Sequence, residues 1–167
     1  DSCLECCVYA ISGCTDEDAG NYNPNAIEDD GSCDYGPWDV NPTDCNMTVL
    51  LPEDLILTIE GELFTGSLWV GVTNSSGNVS GSAYYTSGEV NAIAVWAEEG
   101  DVAGMSAGEP LNWIIEDENG DFLNGIATYS IGSGIWTCNG LEVVESLIFD
   151  IDTDGDGFAD NDDSFPN

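Results

Sequence analysis

The sequence has no lysine, no arginine and no histidine. That absence excludes catalytic triads with an imidazole base, Schiff-base lysines, arginine clamps on anions and His-bound metals. It also excludes salt bridges between side chains. With 33 aspartates and glutamates, the formal charge of the 167 residues is -33. Such a field repels nucleic acid and anionic membrane surfaces, so neither is an expected partner. The compact state then needs bound cations, high external salt or well-spaced surface carboxylates. Long apolar runs are missing too: none approaches the roughly 20 residues of a membrane span, so no membrane insertion is expected. No secretory leader opens the sequence, which therefore reads as a mature product or a segment of one. Asn167, directly after Phe165-Pro166, looks like a cut through a continuing acidic connector.

What is present argues for a folded chain. Hydrophobic residues make up 42%, with five Trp, six Tyr and five Phe, which is too many for a disordered acidic polymer. The length suits one medium domain with small appendages. Seven cysteines, six of them before residue 46, point to an oxidising compartment and hence an extracellular or cell-surface location. The odd total leaves at least one cysteine without an internal partner, either a free thiol or a bond to a neighbouring subunit. Cys3-x-x-Cys6 is also a zinc spacing, but without His or a second C-x-x-C the disulfide reading is preferred. Cys6 and Cys7 are adjacent and do not pair with each other; one of them is expected to hold the head to the body through Cys45 or Cys138. Three sequons, at Asn46, Asn74 and Asn78, are compatible with N-glycosylation.

Beyond Pro37 and Pro42, period-two patterns begin. MTVLL, LILTIE, LWVGVT, VSGSAYY, NAIAVWA, LNWIIED, FLNGIATYS and LEVVESLIFD each have strand length and are separated by turn signals. Asn119-Gly120 is the clearest tight hairpin. No segment holds a convincing helical period. The expected fold is all-β: an antiparallel β-sandwich over residues 46–149, a disulfide-rich, loop-dominated module over 1–45, and an acidic calcium-binding connector over 150–167. Alternation places Leu55, Leu57, Ile59, Leu68, Val70, Val72, Ile93 and Val95 in the core. Trp69, Trp96 and Trp113 are either core of a second face or exposed aromatic surface.

The connector, DIDTDGDGFADNDD, sets Asp152, Asp154 and Asp156 at alternating positions before Gly157. Alternating carboxylates on a tightly turning backbone converge on one point, which suits the six to eight oxygens of a calcium ion. The Phe158 carbonyl is the expected backbone ligand, with Asp160 and Asp163 closing the loop. The flanking segments do not read as the helices of an EF-hand. The pattern D-x-D-x-D-G-x-x-D-x-x-D-x-F-P resembles the calcium repeats of the thrombospondin type 3 class over about the last eighteen residues, which implies Ca2+ as the bound cofactor.

In the N-terminal module, Asn23-Pro24 and Gly31 mark turns. Asp16, Asp18, Asn21, Asn23, Asp29 and Asp30 offer oxygen ligands for a second calcium. Residues 13–35, GCTDEDAGNYNPNAIEDDGSCDY, are similar to a short G-C-T-D-x-x-A-x-N-Y-N-P-x-A-x-x-D-D-G-S-C-x-Y repeat of large secreted and surface proteins of marine bacteria and archaea. The resemblance implies a bridge between Cys14 and Cys33; some members carry a further cysteine where this chain has Gly20. Residues 66–117 resemble a module of secreted Bacteroidetes proteins through Gly71-Val72-Thr73, Gly81-Ser82-Ala83, Val95-Trp96 and Gly104-Met105-Ser106-Ala107-Gly108-Glu109. Where that family shows W-G-D-D, this chain has Trp96-Ala97-Glu98-Glu99.

Only a carboxylate pair or a bare calcium site is left as chemistry. Glu98-Glu99 after Trp96 and Glu116-Asp117 after Trp113 are the acid pairs with an aromatic setting, and surface strand ends account for both, so no enzyme is expected. Two functions compete. One is a calcium-stabilised structural subunit or repeat of a filament, sheath or surface appendage, partnered by copies of itself through cysteines or edge strands. The other is a glycan-binding or adhesive module with exposed Trp and Tyr as the platform. The absence of every trypsin-type cleavage site, the odd cysteine and the stapled terminal modules favour the first.

Overall fold

A computed structural model describes residues 10–117 and 120–150. The expected calcium-binding stretch from Asp152 to Asp163, the cysteines Cys3, Cys6 and Cys7, and Asn119 lie outside them. The described residues form two compact units, divided between Gly36 and Pro37, and contain strands but no helix.

The first unit is held by few buried groups. Two short strands, β1 (Ser12–Gly13) and β2 (Glu28–Asp29), pair in parallel. A disulfide joins Cys14 to Cys33 over a separation of 19 residues, and Cys14 and Ala19 are its buried apolar residues. Closing a loop of that length removes about 3 kcal/mol of unfolded-state entropy in the chain-entropy picture. The rest is turns whose side chains bond the backbone two residues on.

The second unit carries nine strands: β3 (Asn46–Leu51), β4 (Ile56–Ile59), β5 (Glu62–Leu63), β6 (Ser67–Thr73), β7 (Val79–Thr86), β8 (Asn91–Trp96), β9 (Asn112–Glu116), β10 (Phe122–Ile131) and β11 (Leu141–Phe149). Eight coincide with the predicted segments; β5 is a two-residue addition after the Glu60-Gly61 turn. Main-chain pairing runs β5-β4-β11-β10-β9-β6-β7, and β3 joins β11 to β8. β7 lies face-on against β8, so close that a Cβ on Gly81 would sit 2.5 Å from the Ala94 carbonyl oxygen. The sheet thus folds over a shared core, as in a sandwich.

Most pairs are antiparallel, but β11 adds two parallel neighbours. Its first half pairs with β3 and its second half with β4. Pro52, which has no N–H to give a ladder, stands at the step between them, and the Leu55 N–H closes the turn on the Pro52 carbonyl at 3.1 Å. Because β3 and β11 run in the same direction, their starts lie side by side. A second disulfide, Cys45–Cys138, ties those starts across 93 residues. The two cysteines expected to offer a link to the head are therefore bonded to each other within the body.

The core follows the alternation. Met47, Val49 and Leu51 of β3, Leu57 of β4, Val70 and Val72 of β6, Ile93 and Val95 of β8, and Val144, Leu147 and Phe149 of β11 are buried, as is Leu55, while Ile59 and Leu68 are partly buried against them. Trp113 is 1% exposed and belongs to this core; its Nε1 donates to the Tyr129 hydroxyl at 2.9 Å. It cannot serve as a sugar platform. Trp136 is also buried, and its Nε1 donates to the Val95 carbonyl at 2.9 Å.

Candidate functional site

The predicted second calcium set is built into turns. Asp16 Oδ1 accepts the Asp18 N–H, Asn23 Oδ1 that of Asn25, Asp29 Oδ1 that of Gly31 and Asp30 Oδ1 that of Ser32, each at 3.0 Å. Asn21 spans the repeat, taking the Asp34 N–H at 2.8 Å and giving its amide to the Ser32 carbonyl at 2.6 Å. Tyr35 donates to Asp16 Oδ2 at 2.7 Å. That bond, reinforced by the Asp18 N–H, holds the Asp16 carboxyl below its ordinary range, and it raises the Tyr35 phenol. Ser32 lowers Asp30 in the same way. Among the described residues no three Asp, Glu or Cys side chains converge as a metal group. Immediately before the C-terminal loop, Asp150 accepts the Gly61 N–H at 3.1 Å.

The sequons differ in environment. Asn46 is half-buried at the start of β3 and Asn78 is exposed. Asn74 is 8% exposed, and its Nδ2, the atom a glycan would occupy, donates to the Gly104 carbonyl at 2.8 Å. Its Oδ1 accepts the N–H groups of Ser76 and Asn78, both at 3.0 Å. The fold uses both the oxygen and the nitrogen of this amide.

Acid pairs were the enzyme alternative. Glu98 takes the Ser106 hydroxyl at 2.7 Å and Glu99 the Asp44 N–H at 3.3 Å, so each supports a loop. The Ser106 N–H lowers Glu109 from its usual range. Glu142 is a buried carboxylate, 4% exposed, whose Oε2 accepts the Gly134 N–H at 3.0 Å. Gly132, at φ +96°, admits it, since a Cβ there would overlap the carboxylate.

Sequence reasoning missed the outer face of β5, β4, β11 and β10. Cross-strand partners share a face. One row reads Leu63, Thr58, Ile148, Ile126 and the next Ile56, Ser146, Thr128. Leu63 is 64% exposed, Ile56 53% and Ile126 70%. In a chain one-fifth acidic, neither row includes an Asp or Glu, and the carboxylate that reaches them is that of Glu145, which accepts the Thr128 hydroxyl at 3.4 Å. Farther across the same sheet, Trp69 and Tyr84 meet edge to face at 5.4 Å. Trp38 lies over Gly71 and Ile114 and packs on Phe122 at 5.9 Å.

No protein-family model matches this chain, and no curated protein or solved structure matches it. The two disulfides point to an oxidising environment, and among the described residues no helix is long and apolar enough to cross a membrane.

Proposed function

We propose that this chain is a non-enzymatic extracellular structural protein, a calcium-stabilised subunit or repeat of a filament, sheath or surface appendage. The carrying observation is the group of exposed apolar side chains that the register brings together on β5, β4 and β10, Leu63, Ile56 and Ile126. Like-charged copies repel over most of their surface, and these apolar positions, bordered by Glu145 beside Thr128, are where two copies can approach with the fewest opposing carboxylates. Covering Ile56, Leu63 and Ile126 is worth of order 1–2 kcal/mol each.

Two further features support the reading. A charge of -33 with no internal cation requires external neutralisation, and the Asp152, Asp154, Asp156, Phe158, Asp160 and Asp163 set has the composition and spacing for calcium. With Cys14 bonded to Cys33 and Cys45 to Cys138, the cysteines left over are Cys3, Cys6 and Cys7. An odd set cannot pair completely within itself, so at least one of these three is a thiol or bonds outside this sequence.

Ile126→Asp tests the proposal by sedimentation in millimolar calcium. The side chain is 70% exposed, so the substitution should leave the circular dichroism spectrum and melting curve unchanged while suppressing association. Association equal to that of the parent chain would contradict it.

A further inference from the structure

We infer that the second unit also carries a binding site for a neutral carbohydrate, in a cleft beside Trp38. The cleft holds about 550 Å³, within the range of small-ligand sites. Trp38, Asp39 and Asn41 line it from the segment before β3, Asn78 from the turn before β7, and Asp101 and Val102 from the loop after β8.

The chemistry of the lining selects the ligand class. Asp39 and Asp101 only accept hydrogen bonds when ionised, and the amides of Asn41 and Asn78 both accept and donate. An anion is excluded, because the chain has no cation to receive it. An ammonium ligand brings donors only and would leave the amide N–H groups without acceptors. Its attraction to a chain of charge -33 would also not single out this cleft. A sugar hydroxyl both donates and accepts, and a pyranose has an apolar C–H face to lay on an indole. Trp38 with four acceptor-bearing side chains around it fits that combination.

The site is also held in place before any ligand arrives. The Cε3–Cζ3 edge of Trp38 is seated over Gly71, where a Cβ would come within 3.1 to 3.2 Å of it, and Phe122 supports the ring at 5.9 Å. The two opposing loops are joined by Asn74. Its backbone N–H donates to the Asn78 carbonyl at 3.0 Å, its Oδ1 takes the Asn78 N–H at 3.0 Å, and its Nδ2 reaches the Gly104 carbonyl at 2.8 Å. Asn74 is thus a positioning residue that fixes the Asn78 wall against the Asp101–Val102 wall. A site fixed in this way loses little entropy on binding.

The test is isothermal titration of the whole chain, made without N-glycans, with neutral hexasaccharides of β-glucose and N-acetylglucosamine, an alginate hexamer and spermine. Saturable binding of a neutral oligosaccharide is expected, unchanged between about 0.1 and 1 M salt because no ion pair forms, with no alginate binding. Trp38→Ala should weaken it at least tenfold. Because Trp38 also packs on the sheet, Asp101→Asn and Asn78→Ala serve as exposed substitutions that spare the fold, each expected to weaken binding severalfold. No binding of any neutral oligosaccharide at millimolar concentration would overturn the inference. So would affinities unchanged in Asp101→Asn and Asn78→Ala, or binding of spermine alone that disappears with salt. Association of copies in calcium is unaffected by each of these outcomes, so this site and the assembly proposal fail separately.

Discussion

Asn74 Nδ2 and the Gly104 carbonyl oxygen lie 2.8 Å apart, and this contact joins two loops 30 residues apart in sequence. Asn74 shares the sequon spacing of Asn46 and Asn78, yet it is the one whose amide is enclosed. Asn74→Ala removes three side-chain hydrogen bonds from a buried position. It should cost about 2–3 kcal/mol in urea denaturation, since groups left unsatisfied retain their desolvation penalty. Glycopeptide mapping of material from an N-glycosylating host should find Asn74 unmodified in folded protein. Full occupancy there, or a variant as stable as the parent, would contradict the role assigned to this side chain.

The Cys45–Cys138 bond closes the longest covalent loop among the described residues, with a separation of 93. Replacing both cysteines by serine should lower stability by about 3–5 kcal/mol through the unfolded state. The circular dichroism spectrum of the folded variant should be unchanged. A loss under 1 kcal/mol by the same denaturation assay would show that the neighbouring β3–β11 ladder holds the two strand starts together without the bond.

The Tyr35–Asp16 bond needs an ionised carboxylate and a protonated phenol. Asp16 is lowered in the folded state, so its contribution is present above the unfolded pKa and is lost as pH falls through the lower folded value. Tyr35 is raised, so its contribution is complete below the unfolded pKa and is lost as pH rises through the folded one. Carbon-detected NMR titration should show Asp16 titrating below its ordinary range. In Tyr35→Phe this lowering should shrink to what the Asp18 N–H sustains. An Asp16 titration identical in the two proteins would refute the assignment of cause.

For the C-terminal loop, Asp154→Ala and Asp156→Ala should each lower the melting temperature in calcium and leave it unchanged in EGTA. Binding to the folded form stabilises by about 2.7 kcal/mol at a hundredfold excess over the dissociation constant, and that increment should disappear. Equal losses in both buffers would mean that these aspartates act without a metal.

The strands were legible because alternation and turn residues are local signals, and all eight predicted segments became strands. The parallel pairing of β11 with β3 and β4 was not, because nothing local identifies a neighbour about 90 residues away. The same holds for Cys45 and Cys138, whose closeness comes from that pairing. β10 shows why alternation misses an exposed apolar face. Its inward positions include Gly125 and Ala127, because the Phe149 ring occupies the space where a Gly125 Cβ would be. The larger Phe122 and Ile126 therefore point outward, 52% and 70% exposed. Tryptophans carry no such directional signal: Trp113 is enclosed, whereas Trp38, in a segment without strand pattern, lines the cleft.

Sedimentation velocity of the intact chain, in millimolar calcium and again after EGTA, measures both halves of the proposed function together. We expect large species or filaments in calcium that disperse to slower-sedimenting material when the ion is removed. A single monomeric boundary in millimolar calcium, unchanged by EGTA, would contradict it.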